Sequence, residues 1–142
     1  MTSTETIRNF LGKADRGDLD GALRHVTPDY RQLSPLGTFT DHDSVRALYL
    51  GFLAAFADNA HNIEGDYEAG DVGVCEGIWT GTHTGDLYLP DGTVVAPTGR
   101  RVESPFCVVG DVEAGLLKTL RVYFDVASFM AQLGLVPEPA AG

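Results

Sequence analysis

Apolar residues in the first part of the chain recur at helical spacing. From Thr4 to Lys13 the stripe is Ile7, Phe10 and Leu11, with Thr4 as the cap. Gly17-Asp18 interrupts it, and Asp18 caps a short second helix, Leu19 to His25, which Thr27-Pro28 ends. Asp29 to Leu33 is a short extended piece before the turn Ser34-Pro35-Leu36-Gly37. Asp41 to Ser44 cap a longer helix, Val45 to Phe56, whose Val45, Leu48, Tyr49, Phe52 and Phe56 fall on one face.

Beyond Asp58-Asn59 the period shortens to two. His61 to Ala69, Val72 to Thr84, Val94-Val95, Arg100 to Val109 and Leu116 to Phe124 are strand-like. Gly65-Asp66, Gly70-Asp71, Pro90-Asp91-Gly92 and Gly110-Asp111 separate them, and Pro90-Asp91-Gly92 is the clearest turn. A terminal helix, Ala127 to Leu133, closes at Gly134, and from Pro137 the chain reads as a flexible tail. Helices first and antiparallel strands afterwards predict an α+β fold, with one domain over residues 1–136. Three N-terminal helices against a curved, mostly antiparallel sheet of about four to six strands enclose a cone with an open mouth. Such a cone suits a small-molecule cavity.

Composition narrows the partners. The 142 residues carry 20 acidic against 10 basic side chains, a net charge of −10 that repels phosphate backbones and anionic lipid. Nucleic acid and membrane are therefore not expected partners. The N-terminus is polar and no apolar run approaches the ~20 residues of a membrane span, so the expected location is cytoplasmic. Cys75 and Cys107 read as reduced, buried thiols. His25, His42, His61 and His83 are scattered without zinc-site spacing, so no metal is expected.

The candidate chemistry gathers on two strands. In Arg121-Val122-Tyr123-Phe124-Asp125, alternation puts Thr119, Arg121, Tyr123 and Asp125 on one face and Leu120, Val122 and Phe124 on the other. Two readings of Asp125 stand side by side: the N-cap of the terminal helix, or a carboxylate facing the apolar interior, where desolvation suits it to acid/base work. In Trp79-Thr80-Gly81-Thr82-His83-Thr84-Gly85, the two glycines beside Trp79 suggest room for a ligand against the backbone. His83 is either a surface residue or a pocket residue that hydrogen-bonds a substrate oxygen. Tyr30, Tyr49 and Phe52 read as core aromatics, or as binding surface where the core opens into a pocket. Arg101, Glu103 and Asp125 are candidates for an ion-pair network.

The segments Trp79–Gly85, Pro97-Thr98-Gly99-Arg100-Arg101-Val102, Tyr123-Phe124-Asp125 and Phe129-Met130-Ala131-Gln132-Leu133-Gly134, in this order, resemble the SnoaL-like polyketide cyclase (ester cyclase) family of the nuclear-transport-factor-2-like superfamily. The resemblance implies a cone-shaped α+β barrel, a homodimer, and a hydrophobic small-molecule substrate bound without cofactor. It implies ring closure by intramolecular aldol condensation, with Asp125 as acid/base and His83 and Tyr123 as partners for the enolate oxygen. Trp79, Tyr30, Tyr49, Phe52, Arg121 and Glu103 are then the expected substrate-binding residues. The histidine of the penultimate strand is missing, since Phe106-Cys107-Val108 stands there. Epoxide opening or isomerisation in the same pocket, and ligand binding without catalysis, are the alternatives on this fold.

Overall fold

The computed structural model describes residues 1–137. The expected tail lies almost wholly outside them. Helix α1 (Ser3–Asp15) is capped by Thr2, two residues before the expected cap Thr4, because Thr2 and Glu5 form a reciprocal capping box. It buries Ile7, Phe10, Leu11 and Ala14. Helix α2 (Leu19–Leu23) starts from the Asp18 carboxylate, which accepts from the Gly21 N–H. Helix α3 (His42–Ala55) starts from Asp41 in the same way, on the Ser44 N–H.

Between α2 and α3 the chain makes more sheet than the sequence suggests. Strand β1 (Val26–Ser34) turns at Pro35-Leu36 into β2 (Gly37–Phe39), a hairpin that the polar Thr38 and the short run conceal. Strands β3 (Ala60–Ala69), β4 (Val72–Thr82), β7 (Arg101–Glu113) and β8 (Leu116–Phe124) complete a six-stranded sheet ordered β2-β1-β8-β7-β4-β3. Only the β1–β8 pair is parallel. A separate two-stranded hairpin, β5 (Leu87–Tyr88) and β6 (Val94–Val95), stands against α3.

Two expected separators lie inside strands. Gly65 sits at a register shift in β3, where a bulge bends the strand without ending it. Gly110 pairs with Leu120 and Asp111 with Thr119, so β7 runs on, and the turn falls at Ala114-Gly115, both with positive φ. A Cβ at Gly110 would meet Ile7 and Leu117 at 2.9 Å, which marks it as the place where α1 lies down on the sheet.

The bent sheet wraps α1 and α3 as an α+β cone. Helix α4 (Val126–Gln132) closes one end, with Phe129 and Leu133 buried and Gly134 at φ 78° ending it. Among the described residues no helix is long and apolar enough to cross a membrane.

Candidate active site

The interior of the cone is not filled completely. A cavity of about 80 Å³ remains between the concave face of the sheet and α3. Its walls are aromatic: Trp79 stands edge-on to Phe52 at 6.1 Å between ring centroids, backed by the buried Phe56 at 5.0 Å, and Phe129 packs 5.9 Å from Trp79 and 6.1 Å from Phe124. Tyr49, Phe106, Val108 and Val122 continue this lining. Trp79, Tyr49 and Phe52 are thus cavity residues. Tyr30 is fully buried one layer behind.

The polar groups of the cavity come from elements where the sequence pattern drew no attention. His61, at the start of β3, lines the cavity and stands edge-on to Phe106. Its ring Nδ1 lies 2.8 Å from Asp15 Oδ1, and its backbone N–H donates to Asp15 Oδ2, also at 2.8 Å. Both side chains are nearly enclosed, at 14% and 12% exposure. With Nδ1–H donating to the carboxylate, the neutral ring carries its lone pair on Nε2. Among the described residues Nε2 makes no hydrogen bond, although the ring nitrogen that is both fully buried and unpartnered is His83 Nε2.

Gln32 is the second polar group. It is 2% exposed and its Oε1 accepts from Tyr30 Oη at 2.8 Å and Tyr49 Oη at 3.2 Å. Burial raises both phenols well above their ordinary range, so they stay protonated donors. Two donors on Oε1 fix the amide, and its Nε2 hydrogens remain for the cavity that Gln32 lines. Ser104 and Asn59 also line it.

The last strand is oriented opposite to the expectation. Leu120 is buried and Val122 and Phe124 face the cavity, so Arg121, Tyr123 and Asp125 lie on the outer side. Alternation defines two faces but not which one is inward, and the more apolar set takes the interior. Asp125 is exposed, and its Oδ1 accepts from the Ser128 N–H at 3.0 Å as the N-cap of α4. Of the two readings of Asp125 the helix cap is the one the geometry shows, and the carboxylate in an apolar pocket is corrected. Tyr123 is 53% exposed. Arg121 pairs with Asp111, and this guanidinium, with Thr119, holds the Asp111 carboxyl below its usual range. Glu103 is exposed and pairs with Arg101, not with Asp125.

His83 is fully buried, yet it is outside the cavity lining. Its Nδ1 accepts from the Thr98 N–H at 3.1 Å, its N–H donates to Arg100 O, and its carbonyl accepts from Gly99 N. It therefore clamps the Pro97–Arg100 loop. The space beside Gly81 and Gly85 is occupied by the chain itself. A Cβ at Gly81 would meet Trp79 and Phe56 within 3.0 Å, and one at Gly85 would meet the Ala54 carbonyl oxygen at 2.0 Å. These glycines seat the end of α3.

Cys75 and Cys107 are free thiols, and burial pushes Cys75 up to about 11. Neither lines the cavity. Among the described residues no three His, Cys, Asp or Glu side chains converge as a metal site would require.

Residues 7–119 match the family model of the SnoaL-like domain. Several solved structures share the fold. AclR, a candidate hydroxylase from Streptomyces galilaeus, is 23% identical with a TM-score of 0.81, covering 97% of this chain and 84% of its own. A candidate SnoaL-like polyketide cyclase from Jannaschia is 19% identical with a TM-score of 0.82, over 95% of this chain and 93% of its own. IdmH, a candidate polyketide cyclase from Streptomyces antibioticus, is 23% identical with a TM-score of 0.80, over 94% and 99%. At these identities the likeness establishes the fold. No curated protein matches the sequence.

Proposed function

The chain belongs to the SnoaL-like domain family, and on that premise we propose that it is a cofactor-independent acid/base enzyme acting on a hydrophobic carbonyl compound. The observation that carries this reading is the Asp15–His61 pair in the wall of an apolar cavity. His61 Nε2 takes a proton from the carbon beside a substrate carbonyl, and Asp15 stabilises the imidazolium that forms. The electron pair moves onto the carbonyl oxygen, which Gln32 Nε2–H stabilises as an enolate. In an intramolecular aldol closure the enolate carbon then bonds to a second carbonyl carbon of the same molecule. The resulting alkoxide recovers the proton from His61. Atoms and charge balance, and no cofactor enters.

The enolising half-reaction is testable without the natural substrate. Incubation of the protein with 2-acetylnaphthalene in D2O, followed by proton NMR, should show deuterium entering the methyl group faster than in buffer. His61→Gln should remove the acceleration. Exchange in wild type no faster than in His61→Gln would refute the base assignment. A diol carrying oxygen from labelled water, formed from an epoxide probe by the wild type, would favour epoxide opening.

The homodimer is proposed on the outer face of the sheet. There Val74 lies beside Val109, Ile78 beside Pro105, and Cys107 between Glu76 and Tyr123, a mixed face of apolar side chains around one carboxylate, flanked by the Asp111–Arg121 pair. Light scattering on the purified chain tests this. A dimer that Val109→Glu converts to monomer is the expected result, and a monomeric wild type overturns it.

A further inference from the structure

The inner cavity is too small for a complete substrate of the class proposed. Pockets that enclose drug-sized ligands run to roughly 300–1,000 Å³, whereas this one offers about 80 Å³. That volume takes a carbonyl and its neighbouring atoms. Directly outside lies a groove of about 850 Å³, between the β1–β2 hairpin, α3, the β5–β6 hairpin and α4. Leu36, Leu48, Phe52 and Phe129 line both spaces, so the groove continues the cavity through an apolar throat.

The groove walls define what would lie there. Phe39, Leu87, Leu89, Val126 and Met130 make them apolar. Among the described residues on these walls the one formal charge is Asp91, whose carboxylate is held by the Thr93 N–H at 2.9 Å. A negative charge on the wall, within a chain of net charge −10, disfavours an anionic occupant. The α3 wall is also kept low. Ala47 and Gly51 are one helical turn apart on the groove, both exposed, and a Cβ at Gly51 would meet nothing within 4 Å. No close approach and no positive φ requires glycine at 51, and mid-helix glycine is unfavourable.

Resting on the reading of His61 as the base, we propose that the groove is a second subsite of the same binding site. It holds the uncharged, apolar body of the substrate while a small carbonyl head passes the throat to His61. The substrate class is therefore a free, neutral, two-part molecule. A phosphorylated or otherwise anionic carrier-bound form does not fit it.

Ligand-observed NMR with three probes tests this: 2-butanone, 2-acetylnaphthalene and a sulfonated 2-acetylnaphthalene. The wild type should bind 2-acetylnaphthalene at least tenfold more tightly than 2-butanone, and the sulfonate at least tenfold more weakly than its neutral parent. Gly51→Leu, which fills the groove from an open helical position, should reduce the ratio between the two neutral ketones at least tenfold, and Ala47→Leu should act in the same direction. His61→Gln should keep the ratio while losing deuterium exchange, which separates failure of the base assignment from failure of the subsite. An unchanged ratio in both groove variants, or a sulfonate that binds as well as its parent, would overturn the proposal.

Discussion

Asp15 and His61, 46 positions apart in sequence, meet twice: one carboxylate oxygen faces the imidazole Nδ1 and the other accepts the His61 backbone N–H, each at 2.8 Å. The pair joins the last residue of α1 to the start of β3, so the carboxylate both orients the ring and ties a helix to the sheet. Asp15→Asn leaves one oxygen for two donors. Deuterium exchange into a bound ketone should fall by about 10²–10⁴, the usual share of a positioned acid/base group. Chemical denaturation should show a loss of about 1–3 kcal/mol for the unpaired donor. His61→Gln should lose the exchange but less of the stability, since its backbone N–H keeps Asp15. Equal stability losses in the two variants would contradict the double contact.

The cap role of Asp125 separates by substitution. Asparagine caps as well as aspartate, so Asp125→Asn should leave stability within a few tenths of a kcal/mol and exchange at the wild-type rate. Asp125→Ala strands the Ser128 N–H and should cost about 0.5–2 kcal/mol. A large drop in exchange with Asp125→Asn, at unchanged melting temperature, would return this residue to the chemistry.

The helices, four of the long strands and the closing helix were legible because each carries its period and its punctuation locally. Asp18, Asp41 and Asp125 each cap the helix that follows, whereas the first helix is capped by Thr2 and not by the expected Thr4. The site was less legible. Trp79, Tyr49 and Phe52 could be picked out by residue type, but His61 has no meaning until the sheet brings it to Asp15. Gln32 sits in a strand whose partners are the remote β8 and the unforeseen β2. On β8 the period was right and the inward face was wrong, because a two-residue repeat carries no sign. The Gly81 and Gly85 positions looked like ligand space for a related reason: a missing side chain marks a close approach without saying whose.

Acidification should weaken one latch of the sheet in a defined direction. Asp58, beyond α3, accepts the Thr82 N–H at 2.7 Å and its hydroxyl at 2.8 Å, and these bonds, the backbone one first, hold its carboxyl below the ordinary value. The unfolded chain then binds the proton more readily than the folded one. The stabilisation is present above the unfolded pKa of about 4 and is lost as pH falls through the lower folded value. Asp58→Asn should melt below wild type at pH 6, and the gap should close towards pH 3. A gap that widens on acidification would reverse the sign.

Gln32 carries two loads that substitutions can divide. Its Oε1 holds the phenols of Tyr30 and Tyr49, and its Nε2 is the donor assigned to the enolate oxygen. Tyr49→Phe removes one bond to Oε1 and leaves the amide pinned by Tyr30. It should cost about 0.5–1.5 kcal/mol and reduce exchange only slightly. Gln32→Leu fills much of the same volume but leaves both hydroxyls unpaired, at about 1–3 kcal/mol each. It also removes the donor, so exchange should fall by about 10²–10³, as loss of one oxyanion donor does. Measured on folded protein, well below each variant's melting temperature, exchange is lost in Gln32→Leu and kept in Tyr49→Phe if the amide faces the substrate. Exchange that survives in folded Gln32→Leu would mean that Gln32 only supports the core.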